Sequence, residues 1–189
     1  MGHLTCYLMS VTVADPEVLR ERLQAAYILA EKSAATGVLP FLNFLVLDTR
    51  PDPKPWRDVA EPWQRALAAR FAPAFEHVAG IRRDYTGPYG LAAFMAKGHD
   101  KSSFIARNVG WALAFAKRPF TAYVAAADKD QAGFLAEALL AEARLNPWFG
   151  KRIRFKNWEV LGPSGASMKI VASDAGSLQG IRPDLIVCD

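Results

Sequence analysis

A layered α/β fold is what this sequence predicts: a mainly parallel sheet covered by helices, carrying a β-hairpin insertion and preceded by a helical amino-terminal extension. Three observations carry that expectation. Short apolar runs at Leu91–Met95, Phe120–Ala127 and Leu185–Cys188 alternate with stretches of helical periodicity, the pattern of parallel strands buried by their crossover helices. Two further strand-like runs flank Gly162-Pro163-Ser164-Gly165, which reads as a hairpin turn. Finally, 189 residues suit one domain of ordinary size, with room for a three-layer core.

Along the chain, Asp15 can cap a helix that has Pro16 in its first turn and Leu19, Leu23, Ala26, Ile28 and Leu29 at helical spacing. Asp48–Trp56 carries three prolines, which forbid helix and favour extended chain. It is expected to separate an amino-terminal extension (residues 1–55) from the main body (56–189). Glu61 and Pro62 open a second helix, striped by Trp63, Leu67, Ala68 and Phe71 up to Pro73. Turn signals at Gly80 and Gly87-Pro88 precede the buried strand Leu91–Met95. From Asp100 or Lys101 to Ala116 the pattern is helical, with Phe104, Ile105, Val109, Ala112 and Leu113 on one side. Phe120–Ala127 is a strand, Asp128 caps a helix to Leu145, and Asn146-Pro147 ends it. Ile153–Leu161 and Met168–Ala172 form the hairpin, and a polar loop from Ser173 to Asp184 leads to the last strand.

Hydrophobic residues make up 51% and charged residues 22%, near the globular average. No apolar stretch approaches the roughly 20 residues a membrane helix needs, so no membrane partner is expected. Met1–Val13 lacks a basic leader, and no secretory signal is expected. Of the two cysteines, Cys6 and Cys188, the latter lies in the apolar terminal strand and is expected to be a small buried hydrophobe. A reducing cytoplasm fits. The net charge of +4 permits a polyanionic partner without requiring one.

Chemistry concentrates at two places. Lys97, Gly98, His99, Asp100, Lys101, Ser102 and Ser103 stand between a predicted strand and a predicted helix. Backbone N–H groups and the helix dipole make an anion site there, within reach of the Lys101 ammonium, and the Ser102 hydroxyl can ligate Mg²⁺. Against the pattern GxxxxGK[ST], however, Met95 and Asp100 replace both glycines. A Lys-Ser pair after a turn is more often a plain helix start with a solvated lysine. The second place is Asp189, a carboxylate at the end of an apolar strand, where nucleotide-binding α/β proteins keep their Mg²⁺ and where any strand can also simply end. His3, His77 and His99 have no Cys or His at metal spacing and are expected to be structural. Gly162–Ala166 lacks the final glycine of a nucleophile elbow and lies between strands. Arg152, Arg154 and Lys156 alternate with Ile153 and Phe155, a basic face suited to DNA phosphates or to guarding a sheet edge.

Several segments in one order carry a resemblance: Glu61-Pro62-Trp63-Gln64, the loop Lys97–Ser102, the helix Arg107–Phe115, the run Ala125–Ala132, Asn146-Pro147-Trp148-Phe149, Ser173-Asp174-Ala175, and Gly180–Asp189. Together they resemble the ATPase domain of tailed-phage terminase large subunits, the motors that package viral DNA. The likeness spans residues 56–189. It implies a three-layer P-loop NTPase fold of the RecA-like kind, with ATP and Mg²⁺ as cofactors. Some terminases carry a Gly-His-Asp-Lys loop, so Gly98, His99, Asp100 and Lys101 match a Walker A variant and, with Ser103, line the phosphates. Lys97 matches the basic residue that contacts the γ-phosphate, usually arginine; lysine keeps the charge and loses the bidentate fork. Gln64 matches the glutamine that reads adenine. Asp189 matches the Walker B carboxylate, sharing Mg²⁺ with Ser102.

The resemblance further implies a parent ATPase that couples hydrolysis to translocation of double-stranded viral DNA into procapsids. Its partners would be the small terminase subunit and the portal protein, within a homo-oligomeric ring in the host cytoplasm and absent from the mature virion. The glutamate that positions the attacking water, and a nuclease domain, would follow Asp189. Hydrolysis by this chain alone is therefore expected to be very slow, and DNA cleavage is not expected. Two other readings stand beside this one: a non-catalytic nucleic-acid-binding α/β module, and another P-loop helicase or translocase.

Overall fold

Pro16 opens helix α1 (Pro16–Ala34) as expected, but it is the small Ala30 and Ala34 that are buried. Leu19, Leu23, Ile28 and Leu29 are exposed. The computed structural model describes residues 16–49, 51–88, 90, 92, 100–126, 129–172, 180 and 182–188. The Asp15 and Asp128 caps, the loop at 173–179 and, apart from Ala92, the expected strand at 91–95 lie outside these residues. Helix α2 (Val38–Phe44) follows a turn at residues 35–36 and an extended Gly37, and buries Val38, Phe41 and Leu42. Strand β1 (Val46–Leu47) pairs antiparallel with β2 (Lys54–Pro55), and α3 (Trp56–Val59) buries Trp56. The proline-rich stretch thus joins two parts of one core: Phe41 meets Phe115, Trp148 and Phe149 edge to face at 5.1–6.2 Å, a favoured aromatic geometry.

Helix α4 (Pro62–Val78) runs past Pro73 rather than stopping there. A proline removes the donor to the carbonyl four residues back, here that of Ala69, an exposed residue whose carbonyl water can satisfy. Helix α5 (Lys101–Phe115) is buried on nearly every side from Phe104 onward, where a single apolar stripe was expected. Neighbours surround it: α2, α4 and α6 pack on it, and Trp111 donates its indole N–H to the Ala34 carbonyl at 2.8 Å.

After α5 come β3 (Thr121–Ala126), α6 (Lys129–Leu145), α7 (Pro147–Gly150), β4 (Arg154–Lys156), β5 (Glu159–Leu161), β6 (Ser167–Ala172) and β7 (Leu185–Cys188). The sheet order is β4-β5-β6-β3-β7. Pairing is parallel in β6-β3-β7 and antiparallel in β4-β5-β6, so the sheet is mixed, with the expected hairpin supplying antiparallel strands beside a parallel part. The predicted strand Ile153–Leu161 is two strands, because Asn157 takes the left-handed conformation (φ 48°) and folds it back. The second hairpin turns at Gly162–Ala166 as expected, closed by Gly162 N–H to the Ala166 carbonyl at 2.8 Å.

Register assigns the faces. Val160, Met168 and Ala122 are neighbours across three strands, as are Ile170, Val124 and Val187, and all six are buried. Helix α6 packs on β3 and β6. On the opposite face Glu159, Lys169, Tyr123 and Ile186 lie side by side, none of them buried. Among the described residues this second face is less covered than the first, although Ala125 and Ser167 on it are buried. Strand β7 alternates in the same way, which puts Ile186 and Cys188 on the open face. Cys188 is exposed, not the buried hydrophobe the sequence predicts.

Candidate functional site

Of the expected phosphate loop, Asp100 to Ser103 fall within the described residues; Lys97, Gly98, His99 and Asp189 lie outside them. Asp100 is the residue before α5 and adopts the left-handed conformation (φ 56°, ψ 26°). An aspartate at that position normally caps the helix by accepting bonds from its first N–H groups. Here its side chain makes no cap bond. Arg107, two turns along, donates to Asp100 Oδ2 from Nη1 at 2.6 Å and to Oδ1 from Nη2 at 3.4 Å.

The same guanidinium donates from Nε to Glu142 Oε1 of α6 at 2.7 Å. Arg107 is 5% exposed. Burial opposes its charge, yet the Glu142 and Asp100 carboxylates outweigh that and raise its pKa further. Burial also pushes the Glu142 carboxyl up; Arg107 partly offsets this, while Asp100 and Asp48 add repulsion. Glu142 Oε2 has no hydrogen-bond partner among the described residues, which agrees with that direction. Sequence reasoning missed this triad. Its signal was an arginine in an otherwise apolar helix, seven residues after an aspartate, with a glutamate inside the apolar stripe of α6.

On another side of α5, Lys101, Phe104 and Ile105 help to line a cavity of ≈ 650 Å³. Its other walls include α4, through Leu67, Phe71, Phe75 and Val78, the stretch that holds Tyr85 and Pro88, and the whole of β7 from Leu185 to Cys188. Asp184 fixes the start of β7 by accepting the Thr121 N–H at 2.8 Å and donating its own N–H to the Thr121 carbonyl at 3.0 Å. The structure thus brings Lys101 and the strand that leads to Asp189 to one hollow, of a size that suits a small-molecule ligand. Ser102 and Ser103 follow in the first turn of α5 and are half-buried.

Gln64 stands one turn before Leu67 of the cavity wall, and its Oε1 accepts the Glu61 N–H at 2.9 Å as part of a capping box. Arg152 is not available to a polyanion as the alternating pattern implied. It precedes β4, donates to the Ala114 carbonyl at 3.0 Å and to Glu31, and lies over the Phe115 ring. Arg154 and Lys156 remain exposed on the edge strand. His77 bonds the Arg82 carbonyl and stacks on Tyr85, as a structural histidine does. Among the described residues no group of three metal-binding side chains occurs, and no helix is long and apolar enough to cross a membrane.

No family model and no curated protein matches the sequence. Among solved structures, that of the HK97 bacteriophage large terminase is similar, with a TM-score of 0.60 at 15% identity over 82% of this chain and 30% of the terminase chain. This chain spans under a third of that protein's length. At such identity the two share a fold.

Proposed function

We propose that this chain is the ATP-binding part of a terminase large subunit, a P-loop NTPase of the three-layer, RecA-like kind. The observation that carries the reading is the single hollow shared by Lys101 and β7, in a chain with a terminase-like fold. An ammonium that lines a hollow with the strand preceding a carboxylate, next to a hydroxyl-bearing residue in the same first helical turn, forms a donor set suited to a Mg²⁺-polyphosphate. Lys101 and the first N–H groups of α5 meet the phosphates, with Gly98, His99, Asp100 and Ser103 completing the loop and Lys97 directed at the γ-phosphate. Ser102 and Asp189 hold Mg²⁺, which when bound neutralises developing phosphate charge. Gln64, whose Oε1 accepts the Glu61 N–H, is the residue that reads adenine.

In the parent protein the same reading couples ATP hydrolysis to packaging of double-stranded DNA. The small terminase subunit, the portal protein and further copies in a ring are its partners, in the host cytoplasm. The test is titration of a fluorescent ATP analogue with Mg²⁺. Lys101→Ala is expected to weaken binding at least tenfold, since an ammonium on a phosphate is charge-assisted. Equal affinities for the two proteins overturn the assignment.

A further inference from the structure

A carboxylate beside Lys101 is the wrong charge for a polyphosphate site. We propose that Arg107 is a positioning residue for that site, holding the Asp100 carboxylate against the flank of α5 that faces α6 and away from the flank on which Lys101 meets phosphate. The inference rests on the ATP-binding reading above.

Three observations support it. The left-handed backbone of Asp100 comes with a side chain that makes no cap bond to the helix it precedes and instead bonds Arg107. At 100° per residue, Arg107 projects about 120° around α5 from Lys101, and the cavity is lined by Lys101, Phe104 and Ile105 but by neither Asp100 nor Arg107. Glu142 of α6 grips the far side of the guanidinium at 2.7 Å, so Arg107 cannot swing toward the cavity without abandoning a buried carboxylate. Stability alone accounts poorly for the triad. Two carboxylates share one buried arginine, and a buried ion pair is often no more stabilising than apolar side chains of the same volume. A fixed direction for one charge is what the arrangement supplies.

The role predicts an effect graded by phosphate number. Dissociation constants for Mg²⁺·ATP, Mg²⁺·ADP and AMP are measured for the wild-type chain, Arg107→Met, Arg107→Lys and Arg107→Met/Asp100→Asn. Arg107→Met frees the carboxylate and is expected to weaken ATP at least tenfold, ADP less, and AMP under twofold. Asparagine accepts the left-handed backbone, so adding Asp100→Asn is expected to return ATP affinity to within threefold of wild type. Loss uniform across the three nucleotides, or loss that the double variant does not rescue, shows a merely structural arginine and overturns the proposal. If Arg107→Met fails to fold, Arg107→Lys carries the test: an ammonium lacks the planar fork whose separate nitrogens serve the two carboxylates, and a smaller loss with the same phosphate gradient is expected, uniform loss or none again overturning it. A wild-type chain that binds none of the three nucleotides overturns the ATP reading and this role together; wild-type binding without rescue overturns this role alone.

Discussion

Two flanks of one helix differ in how completely they are partnered. Toward α6, α5 presents Arg107 between two carboxylates and Gly110 against Leu139 and Phe149. Toward α4 and β7 it presents Lys101, Phe104 and Ile105 to a cavity. The first flank is set by contacts that any change disturbs, whereas the second ends in an ammonium with room in front of it. A side chain whose removal disturbs little packing, standing beside one whose removal disturbs much, is how a fold separates support from contact with a ligand.

Arg107 is where the two flanks part furthest. Arg107→Met should cost about 3 kcal/mol or more of stability in urea denaturation, because Glu142 is left buried and unpaired. A loss under 1 kcal/mol would show the flank to be less tightly coupled than its geometry implies. Gly110→Ala comes next. Its added methyl overlaps the Leu139 side chain and crowds Phe149, an overpacking expected to cost about 1–3 kcal/mol with nucleotide affinity preserved in the folded fraction.

A titration sharpens the same flank. Burial raises the Glu142 carboxyl above its ordinary 4.5, so the folded chain holds this proton more tightly than the unfolded chain does. The stability this group contributes is complete below about pH 4.5 and is lost as pH rises through the raised value. Melting temperatures of wild type and Glu142→Gln across pH 4–8 should therefore diverge, wild type losing ground to the variant as pH increases; parallel curves would contradict the raised value. Smallest of all is Lys101→Ala, expected to shift stability by under about 0.5 kcal/mol while weakening the ATP analogue, the reverse of the Gly110 outcome.

Elements with strong local signals were legible in the sequence: Pro16 and Pro62 at helix starts, the helix from Lys101, the turn at Gly162–Gly165 and the strand Leu185–Cys188. What was not legible depends on contacts distant along the chain. Short α2 hides because Gly37 and Pro40 read as breakers, while its burial comes from Phe115, Trp148 and Phe149. The split of 153–161 needs a left-handed Asn157, which one residue hardly announces. At the candidate site, the sequence singled out Lys101, which lines the cavity. Arg107 was not legible, because a helix sequence shows the spacing to Asp100 but not that α6 will bring Glu142 to the same guanidinium.

Asn146 shows how a single amide can join what the sequence appears to divide. Its Oδ1 accepts the Val46 N–H at 2.8 Å and its Nδ2 donates to the Val46 carbonyl at 2.9 Å, so one side chain imitates a neighbouring strand for β1. With Trp56 N–H also bonded to the Leu45 carbonyl at 2.7 Å, Lys54–Pro55 paired with β1 and Phe41 set among the aromatics, the two sides of the proline-rich stretch are held together by contacts of their own. Two separate polypeptides, ending and restarting at Asp52, should accordingly find each other and reconstitute the domain, as halves of a split reporter do.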